Sequence, residues 1–245
     1  MKRLLLLTTL LFALISTTQA QIGGYAIDLD GTNDYIDLPD GVYFSDNTFT
    51  VEALVYVKAY SRWARLLDFG EGWQNDNVVI SLCNYSDGYP YFGVYINNGL
   101  QGIQSTTKLP LNTWCHIAAV LNGSTGYIYI NGVQVASGLV NTPQAVNRTW
   151  NYIGQSFDGN DSHTNVKIDE FRIWNSARTV EQIRANMYRE LTGSETDLLV
   201  YFKMSDGSGT TVTNNKTTGT AYNGTLTGGP VWKASGCLAG PGKAL

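Results

Sequence analysis

The stretch "VKIDEFRIWNSARTVEQI", residues 166–183, sets Asp169 beside Glu170 inside an apolar run. Two carboxyl groups are the machinery of glycoside hydrolysis, and the retaining form wants them roughly 5 Å apart. Neighbours on a strand point to opposite faces of a sheet, so Asp169 and Glu170 are expected on different sides. The positions of matching parity around Asp169 are Lys167 and Phe171, neither of them acidic. No catalytic pair is expected here, and the chain is read as a non-enzyme.

Sugar recognition in water combines a flat apolar surface for the C–H face of the ring with side-chain hydrogen bonds for its hydroxyls. Residues 60–91, "YSRWARLLDFGEGWQNDNVVISLCNYSDGYPY", gather Trp63, Trp73, Tyr85, Tyr89 and Tyr91 beside Asp76 and Asn77. Trp63 and Trp73 are therefore candidate stacking residues, whereas Trp114, Trp150, Trp174 and Trp232 sit within or beside strand patterns and read as core. His116 and His163 offer no zinc-site spacing, no nucleophile elbow is present, and no glycine-rich phosphate loop opens a helix. With 16 Lys and Arg against 20 Asp and Glu the formal net charge is −4, so no nucleic acid partner is expected.

The elements that must hold these residues are mostly strands. Short runs rich in Val, Ile, Tyr, Phe and Thr recur between Gly, Asn, Asp and Ser clusters from Tyr25 to Trp174, the rhythm of a β-sandwich. "FTVEALVYV" (49–57) alternates with period two, and "NTWCHIAAVLNGSTGYIYINGVQVASG" (112–138) reads as three consecutive strands with Asn131-Gly132 as a hairpin turn. One helix is expected from "TVEQIRANMYREL", with Thr179 and Gln182 as a capping box, lying across the sandwich edge. Lys2 and Arg3 before an apolar run and "STTQA" mark residues 1–20 as a signal peptide, so the expected place is secreted, extracellular or at the cell surface, without membrane insertion. Cys83, Cys115 and Cys237 cannot all pair within one chain, and a core of this size needs no disulfide; a Cys83–Cys115 bridge stays open.

"IDLDGTNDYIDLP", "FTVEALVYV", the 112–138 run, "YIGQ" and "IDEFRIWNSARTVEQI" occur in the order of a LamG-like module, and the chain resembles the laminin G and pentraxin group of concanavalin A-like lectins and glucanases. The resemblance implies an all-β jelly-roll sandwich of two antiparallel sheets with one short helix, about fourteen strands in all, spanning 21–235. Residues 198–232 resemble the edge strands that accompany such modules, and 236–245 is a tail or the start of a second module, since "GKAL" echoes "GYAI".

In similar modules a calcium ion staples the "DG" turn to the strand with the "IDE" aspartate, which implies a structural Ca²⁺ at Asp30 and Asp169 with Asp34 as helper. The plain alternative is that Asp30 opens an Asx turn before Gly31 and Asp169 pairs with Arg172 or Arg178. Resemblance to pentraxins, which hold their ligand through calcium ions, implies a second cation site on the ligand side at Asp76, Asn77, Gln155, Asp158 and Asp161, against a plain reading as solvated loop residues. The family's hydrolases carry a Glu-x-Asp-x-x-Glu-like run that is missing here. The expected function is non-catalytic binding of an extracellular glycan or polysaccharide. A surface adhesion module that binds protein, or a hydrolase of the same fold, are the alternatives.

Overall fold

The computed structural model describes residues 24–219 and 222–237, so the signal-peptide reading and most of the 236–245 tail lie outside the described residues. The strands in chain order are β1 (Tyr25–Asp30), β2 (Tyr35–Asp37), β3 (Thr48–Val57), β4 (Arg65–Gly70), β5 (Val78–Ser81), β6 (Tyr91–Ile96), β7 (Gly99–Gln104) and β8 (Trp114–Asn122). They continue as β9 (Thr125–Ile130), β10 (Val133–Leu139), β11 (Trp150–Ile153) and β12 (Asn165–Trp174). After helix α1 (Val180–Asn186) come β13 (Leu198–Phe202), β14 (Thr211–Val212), β15 (Gly224–Thr227) and β16 (Val231–Ala234).

Two eight-stranded sheets face each other. The first runs β10-β9-β8-β3-β12-β1-β16, with β13 also paired to β12, and the second runs β14-β15-β2-β11-β4-β5-β6-β7. The period-two alternation of each strand sends Val51, Ala53 and Val55 of β3 and Phe69, Ile80, Phe92 and Val94 of the second sheet into one shared core. The all-β sandwich with one short helix is as expected. Among the described residues two more strands form than the expected fourteen, because pieces as short as β14 complete the edges. Asn131 and Gly132 turn β9 into β10 with φ of 49° and 70°, the positive values that a tight hairpin requires.

The helix keeps its capping box but not its expected place. Thr179 accepts from the Gln182 backbone while the Gln182 side chain accepts from Thr179 N–H. Its buried residue, Ile183, packs with Ala118, Val120 and Tyr129, so α1 covers the outer face of β8 and β9 and not the edge. The reason lies in "HIAAVL": β8 is apolar on both faces, and the outward pair Ala118 and Val120 needs a cover. Cys83 and Cys115 are buried thiols with no disulfide between them.

β12 corrects the expectation for Asp169 and Glu170. Its pairing with β3 slips between Asp169 and Arg172, and Glu170 takes φ of 50°, so an extra residue is inserted as a β-bulge. Ile168 and Phe171 both enter the core, which leaves Asp169 and Glu170 together on the outer side. Both are sealed there. Glu170 Oε2 accepts from Arg172 Nη2 at 2.6 Å and from Tyr201 Oη at 2.8 Å, and Asp169 accepts from Ser235 Oγ–H and from the Glu170 backbone. Arg172 also reaches Glu52 at 3.2 Å and the carbonyls of Asn186, the last helical residue, and of Arg189 just beyond it. Burial works against the charge on Glu52, yet His116, Arg172 and Trp174 around it hold its carboxyl down to about 2.

Candidate functional site

The outer face of the second sheet carries a cleft of about 270 Å³. Its floor is set by strand alternation. With Phe69, Ile80, Phe92 and Val94 in the core, the intervening Asp68, Val79, Tyr91, Gly93 and Tyr95 must face outward. Register aligns Asp68, Val79, Gly93 and Gly102 in one row across β4, β5, β6 and β7. The last two lack side chains, and Tyr91 lies over them: a Cβ on Gly102 would stand 2.4 Å from the Tyr91 hydroxyl.

Loops 58–64, 71–77, 82–90 and 154–164 make the walls. Trp63 and Trp73 both line the cleft, together with Asn77, Asp158 and Asp161, which are expected residues from two separate stretches of chain. Trp63 packs against Tyr85 at 4.7 Å and edge-on against Tyr91 at 6.0 Å between ring centres. Trp73 is 59% exposed and Tyr85 67% exposed, so two large rings stand open at the rim. Trp63, Gln74, Asp76, Tyr85 and Ser86 all have positive φ without being glycine. Such backbone costs on the order of 1 kcal/mol or more per residue and persists where packing enforces it, commonly at ligand sites.

The polar side is a connected network. Arg65 Nη2 donates to Asp161 Oδ2 at 2.9 Å and Nη1 to Ser81, while its guanidinium lies 5.3 Å over the Trp63 ring. Asp68 accepts from Asn77 Nδ2 at 3.0 Å on one oxygen and from Ser156 Oγ and Phe157 N, each at 3.2 Å, on the other. Burial raises the Asp161 carboxyl above its ordinary value even though Arg65 opposes the shift. The Asn160 backbone N–H is the main reason Asp158 titrates below its ordinary value; against partial burial, the Asn160 side chain and the Trp73 indole add to it.

Two expected ligand residues stand outside this lining. Gln155 is half-buried in the same loop but does not line the cleft. Asp76 is buried beneath the 71–77 loop, where its carbonyl accepts from Arg148 Nε at 3.1 Å. Arg148, fully buried, also donates to the carbonyls of Phe44 and Gln144, and so braces that loop from behind. Residue-type reasoning did not single out Arg65, Asp68, Tyr95 or Ser156. For Arg65 and Asp68 a signal was present, two charged residues three apart in the otherwise apolar "RLLDFG".

The three expected calcium ligands do not converge. Asp30 stands opposite Asn165 in the β1–β12 register, four residues before Asp169 and so about 13 Å away along the strand. Asp30 Oδ1 accepts from Thr32 N at 2.7 Å, the Asx turn of the plain alternative, and Asp34 Oδ2 accepts from Asp30 N at 3.0 Å. Asp169 pairs with Ser235 and not with Arg172 or Arg178, and Glu170 takes Arg172 instead. Among the described residues no group of three or more His, Cys, Asp or Glu side chains is arranged to hold a metal ion.

The family model described as the concanavalin A-like lectin/glucanases superfamily matches residues 30–184. No curated protein matches the chain in sequence. A candidate carbohydrate-binding protein from Bacteroides ovatus shares the fold with 21% identity and a TM-score of 0.68, over 90% of this chain and 62% of that one. The chain thus spans less than two thirds of that protein. Domain 4 of AbnA, a GH43 extracellular arabinanase from Geobacillus stearothermophilus solved with arabinotriose, has 24% identity and a TM-score of 0.53, over 65% of this chain and 74% of that one. The native heptameric SAP-like pentraxin from Limulus polyphemus has 16% identity and a TM-score of 0.59, over 90% of this chain and 99% of that one. At these identities the three structures speak for the fold, and the family match extends over more than half of the chain. The chain belongs to the concanavalin A-like lectin/glucanases superfamily.

Proposed function

We propose that this chain is a secreted, non-catalytic carbohydrate-binding module whose ligand lies in the cleft over β4, β5 and β6. One observation carries the proposal: Trp63 and Trp73, with Asn77, Asp158 and Asp161, line the same cleft although loops far apart in sequence supply them. Rings to stack on a sugar face and side chains to bond its hydroxyls are what such a ligand requires. The fold shared with the Bacteroides ovatus protein and with the arabinanase domain solved with arabinotriose supports it. The non-catalytic part rests on the carboxylates. Asp169 and Glu170 are buried away from the cleft, both oxygens of Asp68 are already bonded, and Asp158 and Asp161 are engaged with Asn160 and with Arg65 and Ser156.

Calcium belongs to the proposal only at Asp30 and Asp34, where two carboxylates close the 30–34 turn. Glycan-array binding of residues 21–245 in calcium and again in EDTA tests both parts. Binding to a related set of glycans supports the module reading, and its loss in EDTA supports a working calcium ion. The open rings of Trp73 and Tyr85 also favour a second reading, a surface module that binds protein. Silence of the array in both buffers would favour that reading.

A further inference from the structure

Resting on the carbohydrate reading, the charge inside the cleft points to the class of sugar. Two arginines, Arg62 and Arg65, and three aspartates, Asp68, Asp158 and Asp161, line it. Arg65 is turned inward: Nη1 donates to Ser81, Nη2 to Asp161, and Nε lies 3.6 Å from Asp68. The side chain is largely buried and each of its three nitrogens faces a protein oxygen, so a ligand carboxylate or sulfate would have to compete with Asp161 and Asp68 for it. Arg62 is exposed at the rim without an ion pair among the described residues, where solvent and salt screen it.

The acceptors, by contrast, are in surplus. Asp161 uses Oδ2 for both Arg65 and Ser156, leaving Oδ1 with no protein donor among the described residues. Asn77 Nδ2 is held by Asp68 Oδ1, so a flipped amide would set oxygen against carboxylate, and Asn77 Oδ1, enclosed below the cleft surface, adds an unpaired acceptor and no donor to the lining. Asp158 is kept ionised at neutral pH by the Asn160 donors. A ligand that supplies hydroxyl donors complements this lining, and one that brings its own negative charge meets like charge in a partly desolvated cleft.

We propose that the cleft selects uncharged, hydroxyl-rich oligosaccharides and rejects uronate-containing, sialylated and sulfated ones. The test is a printed array of neutral, uronate-containing, sialylated and sulfated oligosaccharides, probed with the wild-type chain at low and at high salt. Neutral members bind about tenfold or more above acidic ones, and their binding is insensitive to salt. In Asp158→Asn the acidic members gain binding, since one repelling charge is gone. Acidic members that bind as well as neutral ones, and that depend on Arg62 in an Arg62→Ala variant, would overturn the inference and leave the carbohydrate reading standing. Unchanged rejection of acidic members by Asp158→Asn would overturn the electrostatic basis. Silence across the whole array would overturn the carbohydrate reading itself, and the inference with it.

Discussion

Arg65 Nη2 stands 2.9 Å from Asp161 Oδ2, which ties the strand that floors the cleft to the loop that walls it. Both side chains are largely buried, so the pair is no solvated surface bridge. Removing the Asp161 charge leaves Arg65 with Asp68 alone, 3.6 Å from Nε. Asp161→Asn is expected to lower stability by about 1 kcal/mol, the worth of one weakened hydrogen bond, and to weaken glycan binding through a loosened 154–164 loop. Denaturant unfolding alongside binding measures both, and a variant as stable as wild type would show that the pair does not hold the loop.

Asp169 makes stability depend on pH in a direction opposite to that of most carboxylates. Burial pushes its carboxyl up to about 8, with the Ser235 bond opposing and the neighbouring Glu170 adding to the rise. In the unfolded chain it titrates near its ordinary value, so between about pH 4 and about 8 the folded state binds the extra proton. Stability should therefore fall as pH rises through that window, by an amount on the order of several kcal/mol, with no further loss from this group above it. Asp169→Asn should flatten the profile. An equally steep fall in the variant would assign the dependence to another group.

The row of residues across the floor gives a steric prediction. A Cβ on Gly102 would lie 2.4 Å from the Phe92 carbonyl as well as from the Tyr91 hydroxyl. Gly102→Ala should displace Tyr91, weaken glycan binding and destabilise the β6–β7 pairing by about 1–3 kcal/mol. Unchanged binding and stability would mean that Tyr91 does not rest where the row places it.

Residues 198–234 contribute to both sheets: β13 pairs with β12, β15 with β2 and β16 with β1. A chain of residues 21–196 should lose cooperative unfolding that residues 21–235 retain. Equal unfolding transitions in the two would place the domain boundary before β13.

Much of this fold can be read from residue order because strand alternation and turn chemistry are local. "FTVEALVYV" gives β3, and the 112–138 run gives β8 to β10 with their Asn131-Gly132 turn. The faces of Asp169 and Glu170 cannot be read that way, because a bulge depends on which residues of β3 lie opposite. The helix position escapes for the same reason, since it is set by the outward patch of β8. In the cleft, stacking rings and amides announce themselves by type, so Trp63, Trp73 and Asn77 are legible. Arg65 and Ser156 become site residues only through partners 96 and 88 positions away.

The central claim is that the cleft over β4, β5 and β6 is where sugar binds. The measurement that bears on it most directly is glycan binding by Trp73→Ala and Trp63→Ala beside wild type, with free saccharide as competitor and unfolding as a check on the fold. The account predicts folded variants with binding about tenfold or more weaker, and wild-type binding that the free sugar abolishes. Variants that bind the same glycans with undiminished strength would contradict it and move the site off this face.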